Sequence, residues 1–213
     1  AIPLSGWSRL AGLVDEVERS GARLLIVSGS NGAFCAGADL NDFAELRRDE
    51  EARRRFREEM RGALDRLRDL PMPTVALIDG PCYGAGVALA MACDLRFAGR
   101  TAAFAITPAK FGISYPQEDV HRLVELVGAA AAARLLFTAL SIDAEEAGRI
   151  GLVELGDPAP ILAAILANHP DSLATLKRAI RLAAAACRSD AEQDRRFDAL
   201  IAASNSADQR FSS

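Results

Sequence analysis

Twice in its first half the chain passes from a short apolar run, through a bend of very small residues, into a helix-like segment. "RLLIVS" (Arg23–Ser28) leads to "FCAGADLNDF" (Phe34–Phe43). "TVALI" (Thr74–Ile78) leads to "DGPCYGAG" (Asp79–Gly86) and then to "VALAMAC" (Val87–Cys93). Short apolar runs bounded by turn residues read as buried strands, and strands alternating with helices restrict the chain to an α/β architecture. The glycine-rich stretch "DGPCYGAG" is expected to be a turn, and "VALAMAC" a buried helix.

The remaining elements follow from periodicity. Trp7, Leu10, Val14 and Val17 fall on one helical face that ends at Gly21, and Phe56, Met60, Ala63, Leu64 and Leu67 form a second such face. Pro71 and Pro73 end the second helix, because proline lacks the N–H that a helix interior needs. "DLRFAG" and "AAFAI" read as two further strands and "GLVEL" (Gly151–Leu155) as a third. From Gln117 onward the chain is otherwise helical, and Ala129–Ala133 reads as close-packed helix. Pro158 and Pro160 mark the expected boundary between a core, residues 1–157, and a C-terminal helical region, residues 158–213.

A chain of 213 residues can bury about 70% of its unfolded surface, enough for one core. The net charge of −4 argues against nucleic acid as a partner, since nucleic-acid binders carry a basic field. No apolar run is long enough to span a membrane, and no signal peptide is evident. Cys35, Cys82, Cys93 and Cys187 form no CxxC pair and have no histidine at metal-ligand spacing. They are expected to be buried free thiols, which implies a reducing, cytoplasmic setting. The chain begins at Ala1, so an N-terminal piece is expected to precede it.

The two bends carry the chemical signal. Ala36, Gly37 and Ala38 in the first, and Gly84, Ala85 and Gly86 in the second, leave backbone N–H groups bare for a ligand to approach. The second opens a helix, whose first N–H groups lack internal partners and whose dipole favours negative charge. Two such groups aimed at one point can hold an oxyanion. Either bend alone is as readily explained by packing.

Three segments in order resemble signatures of the crotonase (enoyl-CoA hydratase/isomerase) superfamily. "FCAGADL" is similar to F-x-A-G-A-D-[IL]. "IDGPCYGAGVALAMACDLRFAG" resembles the second signature, and "VGAAAAARLLFTALSIDAEEAGRIGLVEL" the third. The likeness covers roughly residues 1 to 185, without the family's first strands. It implies a ββα spiral with a helical C-terminal region, self-association as a trimer or hexamer, and an acyl-CoA thioester as ligand. No metal and no separate cofactor are implied, coenzyme A being part of the substrate. The resemblance assigns the two oxyanion N–H groups to Ala38 and Ala85. It places Ala36, Gly37, Asp39, Leu40, Cys82, Tyr83, Gly84, Ala88, Pro108 and Ala109 along the substrate pocket, with Asp39 as a helix cap.

The chain departs from the pattern where hydratases of this family hold two glutamates. The first position is Ala88. The second is Pro108, or Ala109 if the local proline is matched. The acid of dienoyl-CoA isomerases falls on Pro116. The acid–base pair that adds water is thus missing. "TPAKFGISY" (Thr107–Tyr115) resembles T-P-x-x-L-G-V-P-Y of methylmalonyl-CoA decarboxylases within the superfamily, which points to Tyr115 as a catalytic residue, its phenol orienting a substrate carboxylate or delivering the final proton, the plainer reading being a tyrosine packed at a turn. The expectation is an enolate-stabilising acyl-CoA enzyme, with decarboxylation of a malonyl or methylmalonyl-type ester favoured. A hydratase or isomerase with a non-standard base is the alternative, and a non-catalytic acyl-CoA-binding subunit the other. A Clp-type peptidase of the same spiral is disfavoured because "GAGVA" lacks the nucleophilic serine.

Lesser candidates have plainer readings. Glu118 and Asp119 are a substitute base or simply helix N-terminal acids. His121 reads as a surface residue, and Cys82 as a pocket-lining thiol without activation. Lys177 and Arg178 read as a solvated helix face, or as contacts for CoA phosphates.

Overall fold

The computed structural model describes residues 1–204. Helix α1 spans Leu4–Arg19, strand β1 Leu25–Ser28, helix α2 Phe43–Arg48 and helix α3 Glu50–Asp69. Strands β2 (Thr74–Ile78) and β3 (Pro81–Tyr83) precede helix α4 (Ala85–Met91), and β4 (Leu95–Ala98) and β5 (Ala103–Ala105) follow it. Helix α5 spans Gln117–Thr138, β6 Ile142–Asp143, α6 Ala144–Arg149 and β7 Glu154–Leu155. Helices α7 (Ala159–Ala167), α8 (Pro170–Ala184) and α9 (Ala191–Ser204) complete the described chain.

Two sheets organise these elements. β1, β2, β4 and β7 lie side by side in that order, all parallel, and β3, β5 and β6 form a second sheet in which only β5–β6 is antiparallel. Parallel neighbours need crossovers that cover the sheet faces, and β2 is accordingly an apolar run with four of five residues buried. The core gathers Trp7, Leu64, Leu67, Leu70, Ile78 and Phe104, each at most 2% exposed. Burying one such aliphatic side chain contributes about 1.5–3 kcal/mol. The stripe Trp7–Val14 of α1 meets the stripe Met60–Leu67 of α3 across this core.

Three expectations need correction. "DGPCYGAG" is not one turn, because Pro81–Tyr83 is extended and pairs with β5. The strand expected over Gly151–Leu155 is reduced to Glu154–Leu155, because Leu152 and Val153 are buried in the turn after α6. The alanine-rich helix breaks at Gly128, whose φ of 76° and ψ of 160° are non-helical. Asp39 is a cap as expected, its carboxylate accepting from the Asn41 N–H at 2.9 Å, but it caps a single 3₁₀ turn at Leu40–Asp42. Among the described residues no helix is long and apolar enough to cross a membrane. Cys35, Cys82 and Cys93 are buried free thiols, whereas Cys187 is exposed.

Candidate functional site

The two bends are fastened to each other by backbone. The Cys35 N–H donates to the Pro81 carbonyl at 3.0 Å and the Tyr83 N–H donates to the Cys35 carbonyl at 2.8 Å, making Cys35 and Cys82 parallel partners. From that register each chain runs three residues onward, one to Ala38 and the other to Ala85. Gly37 lies at the contact, with φ of +100°. A Cβ there would stand 2.9 Å from the Tyr83 carbonyl oxygen and 3.6 Å from the Ala85 nitrogen. Only glycine lets the bends approach this closely.

The direction of each N–H is also set by neighbours. The Ile2 N–H donates to the Gly37 carbonyl at 2.7 Å, and the Asp39 N–H donates to the Ile2 carbonyl at 2.9 Å. In extended chain successive amides point opposite ways, so the intervening Ala38 N–H faces away from Ile2. At the second bend Gly84, with φ of 52° and ψ of −115°, turns the chain sharply into α4. Its N–H donates to the Ala105 carbonyl at 2.8 Å. Ala85 is the first residue of α4, where an N–H has no intrahelical partner. Among the described residues neither the Ala38 nor the Ala85 N–H has an acceptor. The helix behind Ala85 has only seven residues, so the donor itself matters more than any dipole.

Both alanines line one cavity of about 750 Å³. Ala88 and Pro108 line it too, and neither carries a titratable side chain. One wall is apolar and comes from α2 and α3: Phe43, Leu46, Phe56 and Met60. Phe43 and Phe56 hold each other edge to face, with ring centroids 6.4 Å apart. The segment Ile113–Asp119 also lines the cavity.

Tyr115 in that segment donates its hydroxyl to the Gly84 carbonyl at 2.9 Å. Burial, and next the charge of Asp119, hold its phenol well above the usual tyrosine range. The phenol therefore stays protonated and serves as a strut to the second bend. Asp119 is fully buried in the cavity wall. Its Oδ1 accepts from Arg61 at 3.1 Å, Arg122 lies 3.8 Å away, and its Oδ2 has no partner. Burial raises its pKa above the usual carboxylate value, against the pull of Arg61 and Arg122.

The other expected residues are distributed around this frame. Gly37 and Gly84 are buried beneath the bends, and Asp39 and Tyr83 are half-buried. Ala36, Leu40 and Ala109 are exposed. Cys82, expected to border the pocket, is instead wholly enclosed, and desolvation pushes its thiol well up. His121 is exposed and lies 3.3 Å from Glu125. Lys177 is no solvated residue: it is 6% exposed, donates to the Met72 carbonyl at 3.0 Å and pairs with Asp94 at 2.7 Å. Arg178 pairs with Asp190 at 2.8 Å. Neither is left open for a CoA phosphate. Sequence reasoning missed the α3 side of the cavity, although positions 53, 56, 57 and 60 repeat at helical spacing. It left Asp119 between a substitute base and a helix N-terminal acid and did not foresee its Arg61 partner, which lies 58 residues away in sequence.

Residues 12–213 match the family model for enoyl-CoA hydratase/isomerase. The chain is 36% identical over 130 residues to methylglutaconyl-CoA hydratase of Rattus norvegicus mitochondria, covering 61% of this chain and 41% of that protein. It is 35% identical over 133 residues to the enoyl-CoA isomerase/hydratase fer4 of Mycosarcoma maydis, covering 62% and 48%. It thus spans under half the length of these curated relatives. The crystal structure of an enoyl-CoA hydratase/isomerase family protein from Hyphomonas neptunium superposes with a TM-score of 0.87 and 34% identity, over 93% of this chain and 80% of that one. Matching family model, shared spiral and paired bends agree, and the chain belongs to the enoyl-CoA hydratase/isomerase, or crotonase, family.

Proposed function

We propose that this chain carries the thioester site of an acyl-CoA enzyme, in which the N–H groups of Ala38 and Ala85 hold the oxygen of a thioester enolate. The observation that carries this reading is the pair of acceptor-free amides on bends locked together at Gly37 and opening on one cavity. Each such donor typically supplies ~3–4 kcal/mol of transition-state stabilisation.

Within that chemistry the reading favoured is loss of CO2 from a malonyl-type ester. The bond from the α-carbon to the carboxylate breaks, and its electron pair moves into the enolate held by the two amides. CO2 leaves, and the α-carbon takes up a proton. No base is needed to remove a carbon-bound proton, which suits the side chains at Ala88 and Pro108. Tyr115 supports the site by holding Gly84; its single proton already serves that carbonyl, so it orients a substrate carboxylate only by releasing it.

A second reading, hydration or double-bond isomerisation, is favoured by Asp119, a buried wall carboxyl of raised pKa, and by the hydratase and isomerase names of the relatives. The test incubates the full-length protein with methylmalonyl-CoA and with crotonyl-CoA, measuring CO2 release and loss of enoyl absorbance separately. CO2 release from the first supports decarboxylation. Hydration of the second without CO2 release reverses the order. Affinity for both with turnover of neither leaves an acyl-CoA-binding subunit.

A further inference from the structure

The cavity has a charged side that the thioester chemistry does not use. Arg47, Arg53 and Arg57 line it on the α2–α3 wall. Most other arginines of α3 are matched with acids: Arg54 with Glu51 and Glu58, Arg55 with Glu45, Arg61 with Asp65 and Asp119, and Arg66 with Asp15. The three that face the cavity have no acidic partner among the described residues. Arg53 donates only to neutral carbonyls, those of Leu46 at 2.9 Å and Arg47 at 3.4 Å. Arg54, Arg55 and Arg66 are thus compensated on the exposed side of the helix and Arg61 within the cavity wall by Asp119, whereas Arg53 and Arg57, which line the cavity, are not compensated. The acids on the same cavity are Glu118, which is exposed, and Asp119, already held by Arg61. Three arginines without acidic partners among the described residues therefore share the cavity with one exposed acid, Glu118.

Their order along α3 gives the direction. Residues 53, 56, 57 and 60 sit three and four apart, so they form one stripe. Met60 at one end is buried, and Arg53 at the other is exposed. The buried end is the inner one: Arg61, next to Met60, holds Asp119, and Tyr115, four residues before Asp119, reaches Gly84 beside Ala85. At 1.5 Å per residue, the seven steps from Met60 to Arg53 cover about 10 Å. An acyl chain anchored by its thioester oxygen and laid along Met60 and Phe56 brings its far end to Arg57 and Arg53.

We propose that the substrate is a dicarboxylic acyl-CoA, whose distal carboxylate is bound by Arg57, with Arg53 and Arg47 beside it. A guanidinium fork fits a carboxylate in two hydrogen bonds, and the apolar stretch between the amides and the arginines accommodates the methylenes. This assignment rests on the thioester reading above. It goes with the hydration or isomerisation reading, or with a malonyl-type ester that bears a further, distal carboxylate, because in a simple malonyl ester the free carboxylate is the one lost as CO2.

The experiment measures binding rather than turnover, by calorimetry on the full-length protein. Valeryl-CoA and glutaryl-CoA have the same chain length and differ only in a terminal methyl against a carboxylate. The expected result is glutaryl-CoA binding about tenfold more tightly than valeryl-CoA, the size of a charge-assisted hydrogen bond. That preference should shrink with added salt. In Arg57→Met, which keeps most of the apolar stem, the ratio is expected to fall to about one. In Arg54→Met, on the outer face, the ratio is expected to stay at the wild-type value. Equal affinity for the two esters in the wild-type protein overturns the proposal and leaves the thioester site standing. So does an equal loss for both esters in Arg57→Met that disappears with the pantetheine thioesters, since the arginine then serves CoA phosphates. No binding of any thioester overturns the thioester reading itself.

Discussion

Gly37→Ala is the sharpest single perturbation of the candidate site. The new Cβ would stand 2.9 Å from the Tyr83 carbonyl oxygen and 3.6 Å from the Ala85 nitrogen, against backbone that has no flexible end to move. The φ of +100° adds strain of its own for any L side chain, of order 1–3 kcal/mol. Relief requires the two bends to part by several tenths of an ångström, or Gly37 to leave its conformation. Either change moves the Ala38 N–H away from the oxygen that the proposed site has it share with the Ala85 N–H. Losing one such donor costs about 10²–10³ in kcat, far more than strain alone does to a protein that remains folded. Gly21→Ala separates the two effects, because Gly21 also has a positive φ, of +72°, but has nothing within 4 Å of the added Cβ. The assay combines urea unfolding with steady-state turnover of whichever ester is processed. Both variants should lose stability, and only Gly37→Ala should lose kcat by about a hundredfold or more. If Gly37→Ala turns over normally in conditions where it is folded, the paired amides are not where the thioester is activated.

Tyr115→Phe removes the hydroxyl that holds the Gly84 carbonyl, and a stability loss of about 0.5–1.5 kcal/mol is expected; urea midpoints measure it. A drop in kcat with KM unchanged would show that the strut also serves the reaction. Asp119 gives a pH signature. Its carboxyl has a folded-state pKa raised by burial, so its contribution to stability is complete below the unfolded value of about 3.9 and is lost as pH rises through the raised value. Urea midpoints of the wild-type protein should therefore fall relative to those of Asp119→Asn across the range just above pH 4. Identical slopes for the two proteins would refute this. Lys177→Met leaves Asp94 without its buried cation, and a loss of about 3 kcal/mol is expected, the lower end for a broken buried pair because Asp94 is partly exposed. For a chain of this size that is a fall of about 6–12 °C in Tm, readable by calorimetry.

Local pattern accounts for the elements read correctly from sequence. "TVALI" is β2 to the residue, because a short β-branched and apolar run between a proline pair and an Asp-Gly leaves few other conformations. The stripes of α1 and α3 were legible from spacing, as was the capping role of Asp39. β3 was hidden because two glycine-bearing turns flank only three extended residues, and its partner, Ala103–Ala105, lies some twenty residues away. Lys177 looked like a solvated lysine because nothing near it in sequence announces Asp94 and Met72.

The sequence by itself determined where backbone could be bare: the small residues at 36–38 and 84–86. It could not determine that the two bare stretches meet. That depends on the Cys35–Cys82 pairing, on Ile2 turning the Ala38 amide outward, and on the Tyr115 strut from 31 residues further along. Nor could it say which arginines of α3 face the cavity uncompensated, since that requires knowing every partner of every acid around the helix. Conformation and periodicity are encoded within a few neighbouring residues. The convergence of donors and the balance of charge are sums over groups that only folding brings within reach of one another.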